Sequence, residues 1–359
     1  MRQTDGSTAR AGEWVHLIGV HDTVADLLTL YVNGEKVGET RLGGAFYADQ
    51  SMLIGAGSYA GGSVTNHFPG RIDDVRLFDR PVSASEAQQL FQQRPVLAGR
   101  WQLDESGAAQ QAADTVTGRT PDSGPSGMDA LLHSGAQLDP AAAFMGEQGL
   151  LLDGQDDHAT TSGMPVNTNE SFTVAAWVQA AAPADRTSVA LSAPGRNQSA
   201  FAVGFVPDRK DPGGPGRWQL VVPDADSSTP SLARADNALG FYDAREWNHL
   251  AVVYDGFAKR AKLYVNGTLQ DIACTDGDGD GEADDSTCQD AIPWADDALS
   301  FHADGPLEIG RGKGSGEWRQ YWPGAIDDVW AFRGALSDEQ VAYLAQQWFD
   351  VPTEEPDID

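Results

Sequence analysis

Five aspartates fall within residues 276–285 (Asp276, Asp278, Asp280, Asp284 and Asp285), and the only two cysteines of the chain, Cys274 and Cys288, flank them. Carboxylates at alternating positions can turn toward one cation, and a glycine after the third permits the bend that such a loop needs. Asp276, Asp278, Asp280 and Gly281 stand at the first, third, fifth and sixth positions of that scheme, with Glu282 offering a carbonyl at the seventh and Asp284 at the ninth. The twelfth position, normally a bidentate glutamate, is Thr287. A main carboxylate is therefore missing, and Asp285 or Asp290 is the available substitute. Calcium is the expected metal, since magnesium prefers to keep its waters. The other reading is a solvated acidic insertion. The cysteine spacing suits a loop-closing disulfide in an oxidising, extracytoplasmic setting, with two reduced thiols as the alternative.

Other catalytic chemistry is hard to find, and the expectation is that the protein is not an enzyme and has no catalytic residue. Adjacent acid pairs recur (Asp73-Asp74, Asp156-Asp157, Asp296-Asp297, Asp327-Asp328). Neighbours on a strand point to opposite faces, whereas glycoside hydrolysis needs two carboxyls facing one another across a cleft. No G-x-S-x-G, H-E-x-x-H or complete phosphate loop occurs; G-R-G-K-G at residues 310–314 lacks the Ser or Thr after its lysine. His16 and His249 fall at equivalent points of a repeat, which favours packing over catalysis.

The 359 residues carry a formal charge of −29. Such a surface repels nucleic acid and anionic lipid and attracts cations. No run of about 18 apolar residues is present to span a membrane, and M-R-Q-T-D-G-S-T-A-R at the N-terminus lacks the profile of a signal peptide.

The elements that must position these groups come twice. G-E-W-V-H-L-I-G-V-H-D at residues 12–22 matches R-E-W-N-H-L-A-V-V-Y-D at 245–255, and L-Y-V-N-G at 30–34 matches 263–267, both at an offset of 233. P-G-R-I-D-D-V-R-L-F at 69–78 matches P-G-A-I-D-D-V-W-A-F at 323–332 at an offset of 254, so the second copy has gained 21 residues, among them the acidic loop. The short apolar blocks predict strands, including ones at Ile54-Gly55, Ile309-Gly310 and both I-D-D-V segments. Asn33-Gly34 and Asn266-Gly267 predict two-residue hairpins, because both central turn residues need positive φ. Ser83 to Glu86 and Ser337 to Gln340 predict capping boxes of closing helices. L-L-L-D-G, S-F-T-V-A-A-W-V, A-F-A-V-G-F and W-Q-L-V-V add strands ahead of the second copy only.

The ordered series W-Q-L-D-E-S-G, L-L-L-D-G-Q-D-D, S-F-T-V-A-A-W-V, E-W-N-H-L-A-V-V-Y-D, L-Y-V-N-G, L-E-I-G and P-G-A-I-D-D-V-W-A-F resembles the laminin G-like jelly rolls of the concanavalin A-like lectin/glucanase superfamily, as found in secreted bacterial proteins. The resemblance implies an all-β fold, an antiparallel β-sandwich in which one complete domain is joined to the C-terminal half of a second. The expected division is residues 1–95 for the half domain and 99–350 for the complete one, with an acidic insertion at about 268–306 and the start of an acidic linker at 351–359. It also implies a second calcium site between Asp153 and Asp327 or Asp328, against the plain reading that these aspartates cap turns.

Family members of this kind are mostly binding modules for glycans or proteins. The expected function is a calcium-assisted carbohydrate-binding or adhesive module of a larger secreted or cell-surface protein. A structural or protein-binding module with a purely structural calcium is the alternative, and a glycoside hydrolase a distant one. The partner is a glycan or an extracellular protein. Sugars stack on exposed aromatic rings, and G-E-W-R-Q-Y-W-P at 316–323 is the richest aromatic loop. Trp322 aligns with Phe68 and is expected in the core. Trp318 and Tyr321, aligned with Val64 and His67, and Trp294 in the insertion are the ligand candidates.

Overall fold

The computed structural model describes residues 12–43, 51–59, 63–92, 95–104, 116–181, 186–208, 216–237, 242–270, 272–275, 298 and 300–346. The chain forms two compact units, Met1–Gln92 with Asp357–Asp359, and Gln93–Pro356. The expected loop ligands Asp276, Asp278, Asp280, Glu282 and Asp284, together with Trp294, Cys288 and the 351–359 linker, lie outside the described residues.

The second unit is a two-layer antiparallel sandwich. Its back sheet runs in the order Thr268–Leu269, Arg260–Val265, Asn248–Asp255, Phe172–Ala180, Pro323–Arg333, Gly149–Asp153 and Gln137–Asp139, with Val96–Trp101 paired along the far half of Pro323–Arg333. Its front sheet runs Ile272–Thr275, Leu232–Asp236, Arg217–Pro223, Ser199–Val206, Ser188–Pro194, Glu308–Ile309, His158–Thr161, Ala130–His133 and Val116–Thr120. Alternation decides what each strand buries. Phe172, Val174, Ala176 and Val178 point into the core with Trp101, Phe201, Trp218, Leu250 and Trp322. Ala175 points the other way, into a smaller cluster with Val253, Tyr264 and Trp330 beneath the helix Asp338–Ala345. Trp322 is fully buried, stacked on Trp218 at 5.8 Å, as its alignment with Phe68 implied.

The first unit repeats half of this plan in atomic detail. Leu17–Asp22, Leu27–Val32 and Glu35–Arg41 form an antiparallel sheet, and Ala84–Gln92 is its helix. Asn33 and Gly34 have φ of 51° and 77°, against 52° and 76° for Asn266 and Gly267. Each asparagine side chain accepts a histidine backbone N–H, that of His16 just ahead of Leu17–Asp22 at 2.9 Å and that of His249 within Asn248–Asp255 at 2.8 Å. Both helices open with the expected reciprocal cap, between Ser83 and Glu86 and between Ser337 and Gln340. The hairpin glycines carry a second constraint: a Cβ on Gly267 would lie 3.0 Å from the Ala345 Cβ and 3.1 Å from the Ala342 Cα. Gly267→Ala is therefore expected to lower stability by about 1–2 kcal/mol, from left-handed strain compounded by that approach, as read by chemical denaturation.

The two copies part where the sequence expected them to agree. Pro323–Arg333 is an eleven-residue strand, but the matching residues 69–78 form none, and Ile54-Gly55 is a bend rather than a strand. The cause is the ladder. Pro323–Arg333 pairs with Phe172–Ala180, Gly149–Asp153 and Val96–Trp101, and Ile309 lies between Ala159 and Leu191. The first unit has no counterparts of those strands among its described residues, so equal local sequence lacks partners for its backbone groups.

Candidate functional site

The outer face of the front sheet gathers the most chemistry. Glu308 sits on a central two-residue strand, opposite Thr160 on one side and Ser192 on the other. Its side chain is buried, and its Oε2 accepts from Thr160 Oγ1 at 3.1 Å and from Arg311 Nε at 2.7 Å. Burial pushes the Glu308 carboxyl up, while Arg311 and Thr160 pull it back. The Arg311 backbone carbonyl is held by Ser192 Oγ at 2.7 Å.

From Arg311 the chain enters a small hairpin, Gly312–Gly314 with Glu317–Arg319, turned by Ser315 and Gly316 at φ of 53° and 82°. It is fastened to the sheet by Lys313 N donating to Ser199 Oγ (3.0 Å), Gly316 N to the Asn197 carbonyl (2.8 Å) and Val189 N to the Gln320 carbonyl (2.8 Å). Trp318 faces Lys313 across the hairpin. The Arg311 guanidinium lies 3.6 Å from the centre of its ring and the Lys313 ammonium 5.0 Å, a cation–π arrangement that fixes the indole. Arg319 crosses the hairpin over Gly314, where any Cβ would collide with its guanidinium.

Tyr321, half-buried, leans on His158 at 6.4 Å and 60°. His158 in turn stacks on His133, its register partner, at 4.6 Å and 6°. Burial, and then the charge of Arg311, lower His158 to about 4 and His133 in the same direction. Both rings are thus neutral near pH 7, which lets them stack without repulsion. Of the three aromatic candidates, Trp318 is thus held by Arg311 and Lys313 at the hairpin and Tyr321 rests on His158 of the sheet.

The metal candidates divide. Asp153 forms a group with Asp156 and Asp157, whose ligand oxygens lie within 4.8 Å of one another, the one such acidic group among the described residues. Asp157 is already engaged, accepting from Gly135 N at 2.6 Å and Asp153 N at 3.1 Å, and burial pushes its carboxyl up. Asp153 Oδ1 accepts from Gln155 N at 2.8 Å. The donors are the hard oxygens that calcium takes, but the set falls short of six to eight without carbonyls or water. Asp327 and Asp328 are occupied elsewhere. Asp327 accepts from the N–H groups of Phe144, Met145 and Asp328 at 2.8, 2.7 and 2.8 Å. Asp328 receives Arg100 Nε and Trp330 Nε1, each at 2.8 Å.

His249 is fully buried, edge-on to Trp177 at 5.2 Å, and burial lowers it to about 3. It packs, as the repeat implied. Sequence reasoning missed Glu308, Arg311, His133 and His158; the signal available was a glutamate inside the apolar L-E-I-G strand. No described helix is long and apolar enough to cross a membrane.

A family model described as the concanavalin A-like lectin/glucanases superfamily matches residues 2–88 and 153–342. No curated protein sequence matches the chain. Among solved structures, domain 4 of an extracellular GH43 arabinanase from Geobacillus stearothermophilus, in complex with arabinotriose, is 19% identical, with a TM-score of 0.42 over 70% of this chain and 100% of that one. The binding domain of Paraclostridial Mosquitocidal Protein 1 is 12% identical, with a TM-score of 0.41 over 71% of this chain and 52% of that one. A Ruminococcus gnavus sialidase CBM40 bound to α2,3 sialyllactose is 14% identical, with a TM-score of 0.33 over 49% of this chain and 82% of that one. At these scores the likenesses carry no weight for function.

Proposed function

The chain belongs to the concanavalin A-like lectin/glucanases superfamily, and from that premise we propose that its complete sandwich is a non-catalytic carbohydrate-binding module whose ligand lies on the outer face of the front sheet, along the hairpin at 312–319. The observation that carries this is the fixed indole of Trp318. A half-buried ring clamped by Arg311 and Lys313 loses little freedom when a sugar packs on it. Such rings take the apolar C–H face of a pyranose or furanose, while neighbouring donors take its hydroxyls. Arg319, Lys313 and the Tyr321 hydroxyl are the donors within the same stretch of chain. Glu308 is sealed beneath Arg311 and tied by Thr160, which supports binding over hydrolysis at this face.

Calcium is a separable part of the proposal. Asp153 and Asp156 carry exposed carboxylates in the loop that leads directly into His158, so a cation there would stiffen the approach to the Tyr321 end. The Cys274–Cys288 loop is the second place for it. An extracellular setting, secreted or on the cell surface, follows the same cysteine pair.

A glycan array probed with the full chain, with and without chelator, tests the function. Binding is expected to a defined set of oligosaccharides. Trp318→Ala is expected to weaken it at least about tenfold, ~1.4 kcal/mol, with a melting temperature only a few degrees lower, since the ring is a surface element. Silence across the array would favour a structural or protein-binding module instead.

A further inference from the structure

Resting on the carbohydrate-binding reading above, we propose that a cleft at the rim of the second unit, between residues 162–167 and 302–306, is a second subsite for a neutral sugar. It is continuous with the Trp318 hairpin, so the ligand is a trisaccharide or longer. The cleft has a volume of about 590 Å³, within the range of small-ligand sites. It opens where two paired strands at the centre of the front sheet leave the sheet together. Ser162 follows His158–Thr161 there, and Pro306 lies just ahead of Glu308–Ile309.

Two buried threonines fix the walls. Thr161 Oγ1 accepts from Leu307 N at 3.0 Å and donates to the Gly163 carbonyl at 2.7 Å, while Thr161 N donates to the Leu307 carbonyl at 3.0 Å. Thr168 Oγ1 likewise accepts from Ala303 N at 2.9 Å and donates to the Phe301 carbonyl at 2.5 Å. The two segments are stitched together at both ends and part between them. A cleft so held has little freedom to lose when it is filled. Met164 and Pro306 supply apolar wall, and Ser162, Asn167, His302 and Asp304 supply polar groups. Asn167 Oδ1 and His302 Nδ1 bond one another at 3.2 Å. That leaves the Asn167 amide nitrogen as a donor and, in the neutral ring, His302 Nε2 as an acceptor. A donor beside an acceptor matches two neighbouring hydroxyls of a sugar. No lysine or arginine is among the lining residues, so the match is to a neutral sugar and not to an acidic one.

The turn at residues 195–198 joins the cleft to the hairpin. Asp226 fixes that turn by accepting the N–H groups of Arg196, Asn197 and Gln198 at 2.7, 2.6 and 2.9 Å. On the cleft side, Gly305 N donates to the Pro194 carbonyl at 3.0 Å, and Arg196 Nε lies 3.3 Å from Asp304 Oδ2. A Cβ on Gly305 would fall 2.8 Å from Pro194 Cγ, so this approach needs glycine. On the hairpin side, Lys313 Nζ donates to the Gly195 carbonyl at 3.1 Å, and Gly316 N donates to the Asn197 carbonyl at 2.8 Å. The backbone from Pro194 to Asn197 spans at most about 11 Å, which a trisaccharide bridges and a single sugar does not. Arg196 and Asp304 form an exposed pair of small worth, so Asp304 can turn to a sugar hydroxyl at little cost.

Imidazole NMR of the full chain, with the His302 signals assigned through His302→Ala, tests this against di- and tetrasaccharides of the cello, manno, xylo and arabino series at millimolar concentration. The tetrasaccharide that binds is expected to move the His302 signals. Its affinity is expected to fall about fivefold in His302→Ala, the scale of one neutral hydrogen bond. In the parent it is expected to bind at least about tenfold more tightly than its disaccharide. Ser162→Tyr fills the cleft from an exposed position whose only described bond is from its backbone N–H to the Asp129 carbonyl, and it is expected to abolish that preference for length. A tetrasaccharide weakened by Trp318→Ala that leaves His302 unmoved and binds Ser162→Tyr as tightly as the parent overturns the cleft and leaves the hairpin reading standing. Weakening by Ser162→Tyr with none by Trp318→Ala supports a sugar in the cleft and overturns the hairpin reading instead. Preference for tetragalacturonate over the neutral series overturns the proposal, and no binding by any of these sugars overturns both readings.

Discussion

Glu308→Ala is expected to cost about 3–5 kcal/mol of folding stability, the scale seen when one member of a buried ion pair is removed. The reason lies in what remains. Arg311 is 12% exposed at its side chain and covered by Trp318, so without the carboxylate its guanidinium stays buried with no counter-charge. Thr160 Oγ1 loses its acceptor as well. Glu308→Gln keeps an acceptor for both and is expected to cost on the order of 1–2 kcal/mol. The double variant Glu308→Ala, Arg311→Leu removes the stranded charge and is expected to recover at least about 2 kcal/mol of the loss. Because Trp318 then keeps only the more distant Lys313 over its ring, the double variant is expected to fold yet bind glycan less tightly than the parent. Urea titration separates the three variants. A single variant as stable as the parent would show that Arg311 is not buried on this carboxylate.

Asp327→Ala is expected to cost a similar amount, about 3–5 kcal/mol, because it strands the N–H groups of Phe144, Met145 and Asp328 beneath the back sheet, at roughly 1–3 kcal/mol for each buried donor and with incomplete additivity. The repeat supplies an internal control. Asp73 is the equivalent residue and makes the same bond to its neighbour, Asp74 N, at 2.8 Å, but it is exposed. Asp73→Ala is expected to change stability by less than about 0.5 kcal/mol. The effect also depends on pH. Burial pushes the Asp327 carboxyl up to about 7, against the pull of its three N–H donors, whereas in the unfolded chain it titrates near about 3.9. Folding therefore favours the neutral acid. The stability this confers is complete below about pH 4 and is lost as pH rises through 7. Asp327→Ala removes that slope, so the gap between parent and variant is expected to be wider at pH 5 than at pH 8. A gap that widens toward alkaline pH would show that the buried carboxylate is held as an anion.

Much of the fold was legible because its signals are local and occur twice. Two Asn-Gly turns, two capping boxes and a constant offset between matching strands left little freedom, and Trp322 could be assigned to the core through Phe68. The limits of that reading are set by pairing. I-D-D-V at residues 326–329 is strand and at 72–75 is not, although the four residues are identical. What differs is whether other strands lie beside them. Strand formation here belongs to the sheet more than to the segment.

The site was less legible for a related reason. Trp318 and Tyr321 could be picked out as aromatics without a repeat counterpart, but His158 beside Tyr321, and the Thr160 that helps anchor Arg311 through Glu308, come from far along the chain. Thr160 and Glu308 are 148 residues apart and meet only through register. His133 and His158 are likewise ordinary residues until their strands pair. The expected sharing of a cation by Asp153 with Asp327 or Asp328 came from the family resemblance alone, and a resemblance does not reveal that Phe144, Met145, Arg100 and Trp330 already engage the latter two. Asp156 and Asp157, two and three residues from Gly154, are the closer company of Asp153.

The most direct measurement is a calorimetric titration of the full chain with its strongest array oligosaccharide, alongside Trp318→Ala, with the recovered sugar then sized by chromatography. One site per chain is expected, weakened at least about tenfold in the variant, and the sugar is expected to come back whole. Undiminished binding by Trp318→Ala, or recovery of shortened sugar, would contradict a glycan-binding face at the hairpin.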